Sequence, residues 1–308
     1  MPPRSGIALA ISAFASLTFT EPSAPHEGQD QKRRRRSKVC IDMNLPSPYG
    51  WAPMTRDQQP ALTLFAVGMI GLGVLALVVS DFAMQWQPVA PWIPGRTVLA
   101  YGSGLIMVFG GVGLLSKATA PWSARILFAY LIVWLLLKVP ALVVAPRVVA
   151  VWLGFGEIAV LLSGGWVLFA TLADVGEGSP LKFATGENGI RLARILFAVS
   201  LIPIGLSHLV YVKETAALVP AWLPYREGWA RLTGVGQIAC GLGVLFSILP
   251  RVAASAEAAM ISLFTLLVWA PAILAAPTTR LPWTAFFISW VIAAAAWVVA
   301  QNIAPKRV

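Results

Sequence analysis

The chain has 308 residues, 58% of them hydrophobic and 12% charged, with a formal charge of +10. Soluble domains carry about 25% charged residues, so this composition excludes an ordinary soluble fold. Hydrogen-bond economy in lipid leaves only helices or closed barrels. The apolar stretches run 18–24 residues without strict alternation, which suits helices crossing a ~30 Å hydrocarbon core and not the ~10-residue strands of a barrel. The basic excess then reads as topology-fixing residues in short loops, and not as a nucleic-acid surface.

Residues 1–60 read as a basic, disordered tail that contains the run Lys32–Lys38 (KRRRRSK). Within it, residues 7–20 are apolar but too short to span. One alternative is a signal-peptide core, although no small-x-small cleavage site follows and cleavage would place the basic run outside. Another is an over-extended start, with Met43 or Met54 as the initiator.

Eight transmembrane helices are expected, at about 61–79, 98–115, 126–145, 149–172, 195–212, 229–249, 258–276 and 284–302. The expected fold is an all-α polytopic membrane protein. With the N-terminus inside, nine basic residues fall on the inner side (among them Lys117, Arg125, Arg191, Arg194 and Arg251) and six on the outer (Arg96, Arg147, Lys213, Arg226, Arg231 and Arg280). That bias predicts both termini in the cytoplasm.

The sequence repeats itself. Leu64–Val67 (LFAV) returns at Leu196–Val199, Trp92-Ile93-Pro94 as Trp222-Leu223-Pro224, and Gly104, Gly111 and Gly113 as Gly234, Gly241 and Gly243. Pro140 matches Pro271, and Ala145-Pro146 matches Ala276-Pro277, with an offset that stays between 130 and 132. Such register points to duplication. The expected units are therefore a first four-helix repeat at 61–172, a cytoplasmic linker at 173–194, a second repeat at 195–302 and a tail at 303–308. Four helices per unit insert both copies in the same direction, so the repeats run parallel.

Helices two and six are glycine-rich, which reads as close helix packing or as a floor for a planar cofactor. Pro140, Pro203 and Pro271 lie within spans and should kink them.

Charges inside a span cost about 2.5–3.5 kcal/mol and need an account. Lys138 and Glu157 stand at nearly equal distances from the Pro146–Val148 turn, and their repeat counterparts, Trp269 and Ile288, are both uncharged. They are expected to pair across the hairpin. A structural ion pair, a snorkelling Lys138 and a proton or substrate site are all open readings.

A second constellation lies at the outer end of the second repeat. His208 and Tyr211 are three apart on the fifth helix, and Thr233, Gln237 and Cys240 form a polar stripe on the sixth. The connecting loop carries Trp222, with Arg226 and Arg231 beyond it. A pocket for a quinone, lipid or small anion made of His208, Tyr211, Trp222, Arg226, Arg231, Thr233 and Gln237 is one reading. Interhelical hydrogen bonds with an aromatic anchor belt are the other. No metal site is expected, because the chain holds only two histidines, His26 and His208. Nor is there an HExxH, CxxC, GxSxG or Walker-type motif.

The segment Ser207–Leu245 resembles the DoxX-like family of bacterial membrane proteins. The resemblance is carried by Ser207-His208 with Tyr211, by Val219–Pro224 (VPAWLP), by Leu232-Thr233-Gly234 and by Gly241-Leu242-Gly243. It implies four-helix units in a bacterial cytoplasmic membrane. Some members of that family are associated with thiosulfate–quinone oxidoreduction or with membrane complexes handling oxidative stress. The implied role is an accessory or subunit of a quinone-linked redox system, with the bilayer and other membrane or redox subunits as partners and a quinone as the ligand. A non-enzymatic carrier or binding module for a small or lipidic molecule is the alternative, and enzymatic activity stays open.

Overall fold

The computed structural model describes residues 59–173, 175–176 and 178–303. Residues 1–58 of the expected N-terminal tail lie outside the described residues, as does the C-terminal tail beyond Ile303, and Gln59 and Pro60 open the first helix.

The described residues are all-α, with no strand among them. The helices are α1 (Gln59–Val79), α2 (Arg96–Leu114), α3 (Ala120–Val144), α4 (Val149–Leu172), α5 (Gly186–Val210), the short α6 (Val212–Leu218), α7 (Arg226–Leu245), α8 (Pro250–Phe264), α9 (Ala270–Ala275) and α10 (Arg280–Gln301). A π-helical turn at Thr265–Trp269 joins α8 and α9 into one span. Seven of these segments are long and apolar enough to cross a membrane. The eighth long helix, α7, falls short because it carries Arg226, Glu227, Arg231, Thr233 and Gln237 along its 20 residues. The chain is a polytopic membrane protein.

Five helix starts differ from the sequence expectation by three residues or more. α3 begins at Ala120 and not 126, α5 at Gly186 and not 195, α7 at Arg226 and not 229, α8 at Pro250 and not 258, and α10 at Arg280 and not 284. The expectation stopped each helix at its first charges. Arg125, Arg194, Arg226, Glu227, Arg251, Glu257 and Arg280 are instead helical. Proline in the first turn of α3 and α8 costs nothing, since those N–H groups have no helical partner. The linker between the expected halves consequently ends at Thr185, not 194. Arg194, expected in an inner loop, is buried in α5 and donates to the Val244 carbonyl (3.3 Å) and Ser247 Oγ (2.8 Å).

The helices close into a ring. α1 packs on α2 and α10, α2 on α3, α3 on α4, α4 on α5, α5 on α7, α7 on α8, and α8 on α10. α4 and α10 also touch each other and are the most buried spans. Glycines set the closest approaches. A Cβ on Gly104 would lie 3.1 Å from the Gly73 carbonyl, and one on Gly234 2.7 Å from the Gly205 carbonyl. Gly111 meets the Ala66 carbonyl and Gly241 the Ala198 carbonyl in the same manner. These faces of α2 and α7 are filled by α1 and α5, which makes them packing surfaces.

The contacts recur in corresponding places. Trp152 Nε1 donates to the Pro146 carbonyl, and Trp283 Nε1 to the Pro277 carbonyl, each at 2.8 Å. Gly95 and Tyr225 precede α2 and α7, and both have left-handed backbones (φ 69° and 54°). Gly71 of α1 receives the Phe287 ring of α10, whereas Gly156 of α4 receives Pro203 and Ile204 of α5. The π turn is where the offset changes. Buried Ala124 and Ala254 are 130 apart, and Pro140 and Pro271, beyond it, are 131 apart. A π turn absorbs one extra residue without breaking the helix.

Candidate functional site

The loop between α1 and α2 folds back into the bundle. A 3-10 turn at Met84–Trp86 follows α1, and Phe82, Ala83, Trp86 and Gln87 are buried. Non-helical backbone at such depth needs internal partners, and polar side chains from three helices, α2, α3 and α4, hold the turn. Lys138 of α3 donates to the Gln85 carbonyl. Glu157 of α4 accepts from the Trp86 indole N–H (2.7 Å). The Gln87 amide donates to Tyr130 Oη (2.6 Å) and Ser103 Oγ (3.3 Å), and its carbonyl accepts from the Ala83 N–H (2.9 Å). The Ser103 and Tyr130 hydroxyls are bonded to each other at 2.7 Å.

Lys138 and Glu157 therefore reach the same turn through neighbouring residues. Lys138 is only 8% exposed and its ammonium lies against Gly154, where a side chain would crowd it. The expected direct ion pair does not form: Lys138 holds the Gln85 carbonyl and Glu157 the indole of the next residue, Trp86. The sequence singled out both residues, but it expected them to bond each other and not these partners. The signal for those was the run Met84–Gln87 (MQWQ), polar and aromatic in what reads as a connecting loop.

The outer end of that loop is clamped. Asp81 accepts from Arg96 of α2 and from Arg280 of α10 (2.9 Å for Arg280), and Arg280 also donates to the Phe82 carbonyl. The Arg96 guanidinium stands 5.4 Å over the Phe82 ring. Burial pushes the Asp81 carboxyl up, but the bonds from Arg280, the Phe82 N–H and Arg96 together outweigh it and hold the group below its ordinary value. Sequence reasoning treated Arg96 and Arg280 only as topology markers and missed Asp81.

The residues expected to form one outer pocket separate into four groups. His208 and Thr233 do meet, with Nδ1 to Oγ1 at 3.1 Å, and the imidazole lies 6.1 Å from the Phe264 ring. Tyr211 does not share their face. α5 ends at Val210, and Tyr211 instead accepts from the Ala150 N–H of α4 (3.3 Å). The three-residue spacing presumed a helix that has already stopped. Trp222 is 70% exposed and Arg226 is exposed as well. Arg231 pairs with Glu227 at 3.4 Å on the exposed side of α7, a contact of the kind worth about 0.3–0.5 kcal/mol. These three residues suit the headgroup zone and do not line the His208 site.

Gln237 turns inward to a residue the sequence reading left outside the span. Glu257 of α8 is fully buried, and Gln237 Nε2 donates to its Oε1 at 3.4 Å. Gln237 Oε1 and Glu257 Oε2 have no hydrogen-bond partner. The signal for Glu257 was a single acid among small residues (Ala253–Ala259) just after a helix-starting proline. Among the described residues no three His, Cys, Asp or Glu side chains gather as a metal site would require.

Residues 197–295 match a family described as a domain of unknown function (DUF8561), a stretch that runs from α5 into α10. No curated protein matches the chain. No solved structure matches it either.

Proposed function

We propose that the chain is a duplicated four-helix membrane protein whose second half binds a small, ring-bearing lipidic ligand of the quinone type, as an accessory or subunit of a membrane redox system. The observation that carries the reading is His208. Thr233 engages its Nδ1 and Phe264 flanks its ring, and no described residue bonds its Nε2. Thr233 gives its hydroxyl proton to the Ala230 carbonyl, so Nδ1 donates to Thr233 and the neutral ring offers Nε2 as an acceptor to a ligand hydroxyl, beside an aromatic wall for a ring. The resemblance of Ser207–Leu245 to the DoxX-like family supports the reading, and this segment lies inside the residues matched by the domain of unknown function.

Duplication is supported by the repeated sequence and by the paired tryptophan bonds, glycine contacts and left-handed turns of the two halves. The bias of basic residues supports a bacterial cytoplasmic membrane protein with both termini inside. Purification in mild detergent tests the ligand. Quinone extracted with the wild-type protein, and lost from H208A while T233V retains part of it, supports the reading. Equal quinone content in wild type and H208A refutes it.

The carrier reading is favoured by a different observation, the buried polar cluster around Lys138, Glu157 and Gln87 against a re-entrant turn. Intramembrane charges of this kind mark substrate pathways in many transporters. Uptake of a candidate solute into proteoliposomes, abolished by E157Q and untouched by H208A, would establish it in place of the first.

A further inference from the structure

The Gln237–Glu257 pair performs no task that packing alone explains. At the matching register, 130 residues earlier, α2 and α3 carry Met107 and Leu127, both buried. The same register positions thus carry two buried apolar residues on α2 and α3, and an amide and a carboxyl on α7 and α8. Apolar residues at such a position usually cost nothing in stability relative to buried polar ones. The second half keeps the polar pair in a segment where an acid is expensive.

The chemistry of the pair is unbalanced. Glu257 is fully buried and Gln237 is 1% exposed, yet the only described bond between them is one N–H donated across 3.4 Å. Both unpartnered atoms, Gln237 Oε1 and Glu257 Oε2, are oxygens on facing side chains. A buried carboxyl group with no donor on one oxygen, beside an amide oxygen with no donor, is a site built to receive positive charge.

Among the described residues, the one hydrogen bond to the Glu257 carboxyl comes from Gln237. On α7 the titratable groups are Cys240, one turn on from Gln237, and Arg226, Glu227 and Arg231 at the exposed outer end. On α10 the one such group is Arg280, which Asp81 holds. On α8 itself Arg251 is exposed. On α5, Arg194 is turned to Val244 and Ser247, and His208 to Thr233.

We propose that Gln237 and Glu257 bind a single monovalent positive charge, taken up as a proton or as an alkali ion, between α7 and α8. This site is separate from the His208 site and does not depend on a quinone being bound there.

The test uses the full chain in lipid nanodiscs. Thermal unfolding is followed in sodium, potassium and choline chloride at equal ionic strength. In parallel, infrared difference spectra in H2O and D2O report any protonated carboxyl. Wild type is expected to show one of two signatures: a higher melting temperature in an alkali salt than in choline, or an exchangeable protonated-carboxyl band that disappears on alkaline titration. The first assigns the charge to an alkali ion and the second to a proton. In E257Q the signature should vanish. The double variant Q237M/E257L, which copies the apolar pair of the first half, should fold and also lack it, so a folding defect in E257Q alone does not obscure the result. Wild type with neither signature, or a signature that persists in both variants, overturns the proposal.

Discussion

Gly164 of α4 and Ala295 of α10 meet at the centre of the ring, where a Cβ on Gly164 would lie 2.6 Å from that of Ala295. The two are 131 residues apart, the same offset that relates Trp152 to Trp283 and Pro146 to Pro277. In the proposed duplication the two are counterparts, and their contact would fall beside the axis relating the halves, as in an isologous dimer contact. Introducing a methyl group there must push α4 and α10 apart. G164A should lower stability by about 1–3 kcal/mol, read as a lower unfolding temperature in detergent. A295G in the G164A background should recover part of the loss. Strict additivity of the two substitutions would contradict direct contact.

The Trp86–Glu157 bond carries a second prediction. Removing the indole N–H with W86F leaves a carboxyl group in the bundle without its donor, at a cost of about 1–3 kcal/mol. In an E157L background, W86F should cost much less, because no acceptor is left stranded. A double-mutant cycle measures the difference directly, with a coupling of about 0.5–3 kcal/mol expected. A coupling near zero would mean that the turn is held by Lys138 and the Gln87 network alone. K138M tests that branch, since it frees the Gln85 carbonyl without touching Trp86.

Asp81 predicts a pH dependence. Its carboxyl titrates lower in the folded chain than when unfolded, because Arg280, the Phe82 N–H and Arg96 all favour the ionised form. Folding therefore gains from this group when the pH is above its ordinary value of 3.8. The gain is lost as the pH falls through the lower folded value. Wild type should lose unfolding temperature on acidification in that range, while D81N should be less stable at neutral pH and flatter below pH ~4. Charge-assisted bonds of this kind contribute about 1.5–3 kcal/mol. Identical acid profiles for wild type and D81N would show that the clamp contributes nothing.

The helical class and the eight long segments were legible because apolar runs of spanning length admit few alternatives in lipid. The glycine faces were legible too, since Gly104, Gly111, Gly234 and Gly241 recur at matched positions. Charge misled the helix starts, because Arg251 and Glu257 look like loop residues until the proline at the first turn of α8 is given its proper weight. The site was legible as single residues and not as partnerships. Lys138 and Glu157 were visible as costly charges, but their partners sit in a loop whose inward fold no periodicity encodes. His208 and Thr233 were found by helix spacing. Tyr211 was misplaced by the same spacing, because nothing local shows that α5 stops one residue earlier. Gln237 was read toward the outer loop, and only the packing of α7 on α8 turns it to Glu257.

Gly95 and Tyr225 supply the last prediction. Both hold a left-handed backbone immediately before a glycine-rich helix. Glycine adopts that conformation freely, whereas an L side chain pays about 1–2 kcal/mol for it. No atom lies within 4 Å of a Cβ built on Gly95, so space does not limit substitution there and only the backbone does. G95A should thus destabilise by about 1 kcal/mol, which is that backbone cost less the 0.4–1 kcal/mol that alanine removes from the entropy of the unfolded chain. Tyr225 is 88% exposed, so Y225G sheds backbone strain without emptying a core site and should leave unfolding temperature unchanged or raised. The two results together distinguish a shared turn from a coincidence of φ. If G95A is neutral while Y225G destabilises, the tyrosine ring is an interfacial anchor that outweighs the strain, and the two turns have separate roles in their halves.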